Sequence, residues 1–422
     1  MKRLATNLWG VLIMLALAAA APANAENTVV RSFQQAAISP DGNRVAWVQD
    51  SDGDGGTSIY VQELNASNAK PHRISAGTGD SLTEDHVAWS PDSKRIAFLS
   101  DAENHDQAQL YVAAIDGNSA RKLTNVKGAV ADPAWSPDGK SIAILFTENA
   151  PRANPLMPMA PETGAIAEKV YEQRLAVTDV DSGSLRQISP SDMYVYEYDW
   201  SPDGKSFALL SAHGAGDANW YVAQLYTMPA NGGNLTAIHK PQLQIAEPRW
   251  SPDGKSIGFI EGLMSDEGVI GGDIFVVPAN GGSVHDVTSG IKSSPSALHW
   301  PTPDKIVFAE NIDGEVGVST VEIATGKILQ VWRGPGSLKN ANFASTNISL
   351  AADGNSSAAV HNSSSQPPEI WAGPIGKWRP ITHANQSVQA EWGDVKSIHW
   401  SSDGMNIQGW LMFPKPYDAS HQ

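Results

Sequence analysis

The chain has 422 residues, no cysteine, 41% hydrophobic residues and a formal charge of −16, so it has material for a large core that needs no disulfide and lies outside the disordered and collagen-like classes. The acidic balance excludes the clustered Lys and Arg on which phosphate-backbone binding depends, so nucleic acid is not an expected partner.

The first segment reads as an address. Lys2 and Arg3 precede a mostly apolar run from Leu8 to Ala21, and Ala23-Asn24-Ala25 has the small-residue spacing of a cleavage site. The run is too short to span a bilayer and no later segment qualifies, so the expectation is a signal peptide over 1–25, cleaved near Ala25, and a periplasmic or secreted mature chain with no membrane span. Without Lys2 and Arg3 the mature chain carries 45 acidic against 27 basic residues, a formal −18.

From residue 30 onward one phrase returns. It reads Ile38-Ser39-Pro40-Asp41-Gly42, then Trp89-Ser90-Pro91-Asp92, Trp135-Ser136-Pro137-Asp138-Gly139, Trp200-Ser201-Pro202-Asp203-Gly204 and Trp250-Ser251-Pro252-Asp253-Gly254. Weaker copies end at Asp304, Asp353-Gly354 and Asp403-Gly404. The Asp spacings are 51, 46, 65, 50, 51, 49 and 50, the period of a repeat architecture. Ser-Pro-Asp-Gly is a tight-turn sequence, because Pro presets φ, Asp bonds nearby main chain and Gly accepts positive φ. Runs such as Ile142-Ala143-Ile144-Leu145-Phe146 follow it and read as strands buried on both faces. Turn signals at Asp116-Gly117, Asn231-Gly232-Gly233 and Asn280-Gly281-Gly282 precede a closing strand.

Four short antiparallel strands per ~50 residues predict an all-β fold, a seven-bladed β-propeller over 26–394. The long spacing before Asp203 places an insertion at Asn149–Glu168 in the third blade. The eighth copy runs through Ile407–Phe413 into Pro414-Lys415-Pro416-Tyr417. It lacks a third and fourth strand, so 395–422 is expected to begin a second domain.

The blade phrase, the segment Tyr194-Val195-Tyr196-Glu197-Tyr198-Asp199-Trp200 and the C-terminal Ser402-Asp403-Gly404-Met405-Asn406-Ile407-Gln408-Gly409-Trp410-Leu411 together resemble exported bacterial members of the prolyl oligopeptidase family, which includes dipeptidyl and acylaminoacyl peptidases. The blade phrase alone also occurs in TolB-like propellers. The resemblance implies that a strand of the last type leads into an α/β-hydrolase domain, here truncated, and that the propeller gates the access of peptides to it. A stand-alone TolB-like propeller binding a protein or peptide partner is the alternative.

No catalytic residue is assigned. The one Gly-x-Ser-x-Gly match, Gly254-Lys255-Ser256-Ile257-Gly258, falls in a blade hairpin, not on the strand-to-helix turn that exposes a nucleophile. Asp50, Asp52 and Asp54 open like an EF-hand loop, but position twelve is Val61, and a polar hairpin is the plainer reading. The His residues lack metal spacing, His299 and His399 read as strand residues, and no cofactor or metal is expected. The repeat tryptophans Trp89, Trp135, Trp200, Trp250, Trp300 and Trp400 are expected to pack between blades. Glu168 and Glu172 are the candidate substrate-binding residues, because the resemblance implies propeller-borne glutamates that hold a peptide's free amine. Their segment does not match the family's glutamate-pair motif, and a solvated, helical face is the competing expectation.

Overall fold

The structure is a computed structural model that describes residues 30–416 except 53–54, 67–68, 80, 117–118, 151–170, 215–216, 267–268 and 341–344. The cleavage segment, Glu168, Asp54 and most of the Asn149–Glu168 insertion therefore lie outside the described residues.

The local chemistry of the repeat sets each blade. In blades 2 to 5 the Ser hydroxyl donates to the Asp carboxylate at 2.5–2.7 Å. The same serine oxygen accepts the main-chain N–H five residues on, at 2.9–3.0 Å. The fourth-position Gly is left-handed, as at Gly139 (φ 68°) and Gly254 (φ 71°), while blade 2 holds Ser93 there at φ 59°. The hydroxyl first and the main-chain N–H groups second hold Asp138, Asp203 and Asp253 below the usual carboxylate range.

Around these turns the chain builds seven antiparallel sheets, spanning 33–74, 84–122, 128–187, 194–239, 244–286, 294–334 and 337–380. Six have four strands in sequence order. In the seventh the first strand is broken into Ser337–Lys339 and Ser349–Leu350, both paired to Ser356–Ser363. The middles of the second strands are apolar because they are covered on both faces; Ile142 to Phe146 are at most 4% exposed. The core is accordingly split into clusters between neighbouring blades. One joins Val45 and Trp47 of blade 1 to Ala358, Val360 and Ile370 of blade 7, which closes the ring.

The seven-bladed all-β expectation holds. One short helix, Asp217–Trp220, sits in the blade 4 hairpin. The insertion joins the second and third strands of blade 3, Ser141–Glu148 and Gln173–Asp179. The eighth copy forms only a two-stranded hairpin, Val395–Ser402 with Met405–Met412. Here the packing expectation for the tryptophans needs correction: Trp400 is 47% exposed, because no blade lies beyond it to cover the ring.

Candidate functional site

The innermost strands of the seven blades meet around the axis, and their irregularity positions the polar groups there. A register shift interrupts the inner strand in each of blades 1 to 6, at Phe33/Gln35, at Asp85/Ala88, opposite Ala143/Leu145, at Val195/Glu197, at Ala246/Arg249 and at Pro295/Ala297. Such bulges re-aim side chains. His86, Asp132 and Glu247 are held at φ 53°, 47° and 57°, a conformation that costs a non-glycine residue on the order of 1 kcal/mol or more.

The polar side chains tie one inner strand to the next. In the Gln35 amide, Oε1 accepts Val87 N–H at 2.8 Å and Nε2 donates to Val87 O at 2.9 Å. The Glu197 carboxylate accepts Glu247 N–H at 2.8 Å, and Asp199 accepts Trp250 N–H at 2.8 Å. Arg249 donates to the Glu247 carboxylate at 2.6 Å and to Pro248 O at 2.9 Å. The Tyr198 hydroxyl reaches the carbonyls of Asp132 and, at 3.0 Å, of Ala143.

Electrostatics follow from this crowding. Burial, reinforced by the Glu247 charge, raises the Glu197 carboxyl, and burial raises Asp199. Burial works against the Arg249 charge, but Glu247, Asp199 and Glu197 outweigh it and hold the guanidinium above its ordinary value. Burial and the Arg249 charge push His299 down to about 4. Burial opposes the charged form of His86 as well, yet the Asp85 hydrogen bond at 2.8 Å and the Asp85 and Asp132 charges bring it up to about 9.

This arrangement can bind and hold. His72, His86, His213, His239, His299, His361 and His399 bond carbonyls, carboxylates or an amide, and none of those partners is a hydroxyl. Ser256 lies in the blade 5 hairpin, its N–H donated to Ser251. Among the described residues no group of three His, Asp or Glu side chains is placed to hold a metal ion. Asp50 and Asp52 flank the blade 1 hairpin, where Arg31 donates to Asp50 O at 2.8 Å and also to the Asp52 carboxylate.

Glu172 is not on a solvated helix. It lies immediately before the strand Gln173–Asp179 and is half-buried, one carboxylate oxygen lacks a hydrogen-bond partner, and burial, with the nearby Asp192 charge, raises its carboxyl. Nothing described joins it to the axial groups. A cavity of about 380 Å³ at the edge of blade 4 is lined by His213, Tyr221, Val222, Lys240 and Leu243, among others.

Sequence reasoning missed the axial groups. Their signal is positional: the residue three before the repeat Trp, or its equivalent, is Gln35, His86, Asp132, Glu197, Glu247 and Asn347 in six of the seven blades, while blade 6 has Ala297.

Residues 23–167, about a third of the chain, match the family model for the TolB beta propeller domain. An uncharacterized peptidase of Bacillus subtilis, YuxL, is 36% identical over 124 residues, covering 28% of this chain and 18% of that protein. The Tol-Pal system protein TolB of Alcanivorax borkumensis is 26% identical over 87 residues, 21% of this chain and 20% of that one. A solved acylaminoacyl peptidase has the same fold, with a TM-score of 0.67 at 15% identity over 93% of this chain and 59% of its own. The matches span under two thirds of each of these proteins. The chain is a seven-bladed propeller carrying the TolB-type repeat, and it resembles the propeller of a prolyl oligopeptidase family peptidase.

Proposed function

We propose that this chain is the non-catalytic propeller portion of an exported prolyl oligopeptidase-type serine peptidase, where it gates the entry of peptides to an α/β-hydrolase domain. The observation that carries the reading is the hairpin after blade 7. Ile398, Trp400, Met405, Trp410, Leu411 and Met412 are 39–60% exposed on two eight-residue strands. The hairpin touches the ring through a polar contact, His399 to Asp313 at 2.7 Å. Ile398, Trp400, Met405 and Leu411 share one face of the hairpin while Trp410 and Met412 emerge on the other, and exposed apolar side chains of this kind fit a surface that another folded body covers. The peptidase relative and the family resemblance of the C-terminal segment support a hydrolase domain as that body. The TolB-type repeat supports the second reading, a propeller that binds a protein or peptide partner.

In the first reading the ring supplies no chemistry and needs no cofactor. It restricts substrates to peptides that fit past the axial groups, and Glu172 is the rim carboxylate that would hold a peptide's free amine. The mature chain would start at Glu26 and work in the periplasm or outside the cell; among the described residues no helix is long and apolar enough to cross a membrane.

The test adds the purified chain to the isolated hydrolase domain of a related peptidase and follows a short chromogenic peptide and a folded protein substrate. The reading predicts no turnover by the chain alone and selective protection of the protein substrate in the mixture. Turnover by the chain alone, or no effect on either substrate, overturns it.

A further inference from the structure

We propose that the outer edge of blade 6 is a self-association surface, through which two copies of this chain pair edge to edge in an antiparallel, two-fold arrangement.

The outermost strands of the other blades are two to four residues long: His72–Ile74, Ala120–Lys122, Leu185–Gln187, Thr236–His239, His285–Asp286 and Arg379–Pro380. Short edge strands are a standard protection against unwanted pairing. Blade 6 lacks this protection, since Lys327–Gly334 runs for eight residues and pairs only with Glu315–Glu322 on its inner side. Ile328, Leu329 and Val331 on it are 37%, 62% and 41% exposed. Lys327 blunts one end, and a bulge at Val331, between the pairs Val318↔Trp332 and Ser319↔Gln330, blunts the other. Between them Ile328, Leu329 and Gln330 form a plain, uncharged, β-competent edge, apolar at Ile328 and Leu329, with free main-chain groups.

A second copy fits this edge by charge and symmetry. A two-fold through Leu329 sets Leu329 against its own copy, Ile328 against Gln330, and Lys327 beside the bulged Val331. No like charges then face one another: the two Lys327 side chains are four residues apart along the strands, ~13 Å, beyond the ~8 Å screening length at physiological salt. The sheet continues from four strands to eight across an isologous interface, which closes on itself and does not propagate into a fibre. The contact is small beside the ~800 Å² per partner of a stable complex, so the dimer is weak, with a Kd on the order of 10–100 µM. Two chains of −16 repel, so added salt tightens an apolar, main-chain contact of this kind, whereas it would loosen a charge-steered one.

Sedimentation of the whole chain from about 5 to about 500 µM, at about 50 and about 500 mM salt, tests this. The wild type is expected to pass from monomer to dimer, more readily at high salt. Leu329→Lys and Leu329→Glu each place like charges across the two-fold and should weaken association at least about tenfold, while an equal mixture of the two variants recovers it. Leu329 is exposed, and unchanged thermal melting confirms that both variants fold. A wild type that stays monomeric, the result if the edge serves a foreign extended peptide, overturns the proposal. So does a dimer indifferent to both variants, or a mixture no tighter than its parts.

Discussion

The seams among blades 1 to 4 and the seam between blades 7 and 1 do the same task with different chemistry. In the former, one indole per blade reaches back to the preceding inner strand: Trp89 donates to Ala37 O at 2.9 Å, Trp135 to Ala88 O at 3.1 Å and Trp200 to Ala134 O at 3.2 Å. At the closing seam the repeat position holds Ile38, and among the described residues no strand is exchanged between the first and last blades. Closure falls instead to an apolar cluster that includes Trp47, Val360 and Ile370, and to a polar clasp. The buried Asn385 side chain accepts Arg31 N–H at 2.8 Å and donates to Arg31 O at 2.9 Å, while Ala352 N donates to Pro40 O at 3.0 Å and Arg379 to Leu64 O at 2.9 Å. A seam inside a repeat can lean on the motif that generates it. The seam where the first and last blades meet adds residues from outside the repeat phrase, Arg31, Arg379 and Asn385.

Removing the clasp has the largest expected effect. Asn385→Ala strips three side-chain hydrogen bonds, to Arg31 twice and to Pro368 O, from a fully buried position. Urea unfolding should show a loss of about 2–4 kcal/mol, with cuts by a protease appearing first near the blade 7–1 seam. The indole seams give the next effect. Trp135→Phe keeps the packing and loses the hydrogen bond, and should cost about 1 kcal/mol. Trp300→Phe should cost measurably less in the same denaturation, because its indole N–H has no partner.

A third effect is set by pH and concerns the axial groups. His86 is raised above its unfolded value, so its contribution is full below about 6.5 and is lost as pH climbs toward about 9. Glu197, raised by burial, works in the same direction, since ionising it in place becomes obligatory as pH rises. Melting temperature should therefore fall across this alkaline range, and His86→Gln or Glu197→Gln should flatten the fall. The smallest effect belongs to the hairpin. Trp400→Ser and Trp410→Ser, at positions 47% and 50% exposed, should change ring stability by no more than about 0.5 kcal/mol, yet abolish capture of a hydrolase domain in a pull-down.

The residues differ in how far they announce themselves. The hairpins of blades 1, 3, 4 and 5 are legible because Ser, Asp and Gly complete their hydrogen bonds within five residues, as Ser136, Asp138 and Gly139 do. The axial groups are not, because Gln35, His86, Asp132, Glu197, Glu247 and Asn347 share a place and not a residue type, and what each does depends on the neighbouring blade. Trp400 shows the converse: its motif copies the ring tryptophans while its surroundings do not, and motif alone misplaces it. Asn385 looks like any loop asparagine until Arg31, 354 residues away, is folded against it. Glu172 is half-buried, with Asp192 close enough for its charge to add to the shift, a setting that its sequence neighbours do not announce.

Hydrogen exchange over 395–412, with and without an α/β-hydrolase domain from a related peptidase, tests the central claim most directly. The account predicts fast exchange in the free chain and strong slowing in the mixture, centred on Trp400 and Trp410. Slow exchange in the free chain, or no change on mixing while a Tol-Pal partner protects the ring, would contradict it.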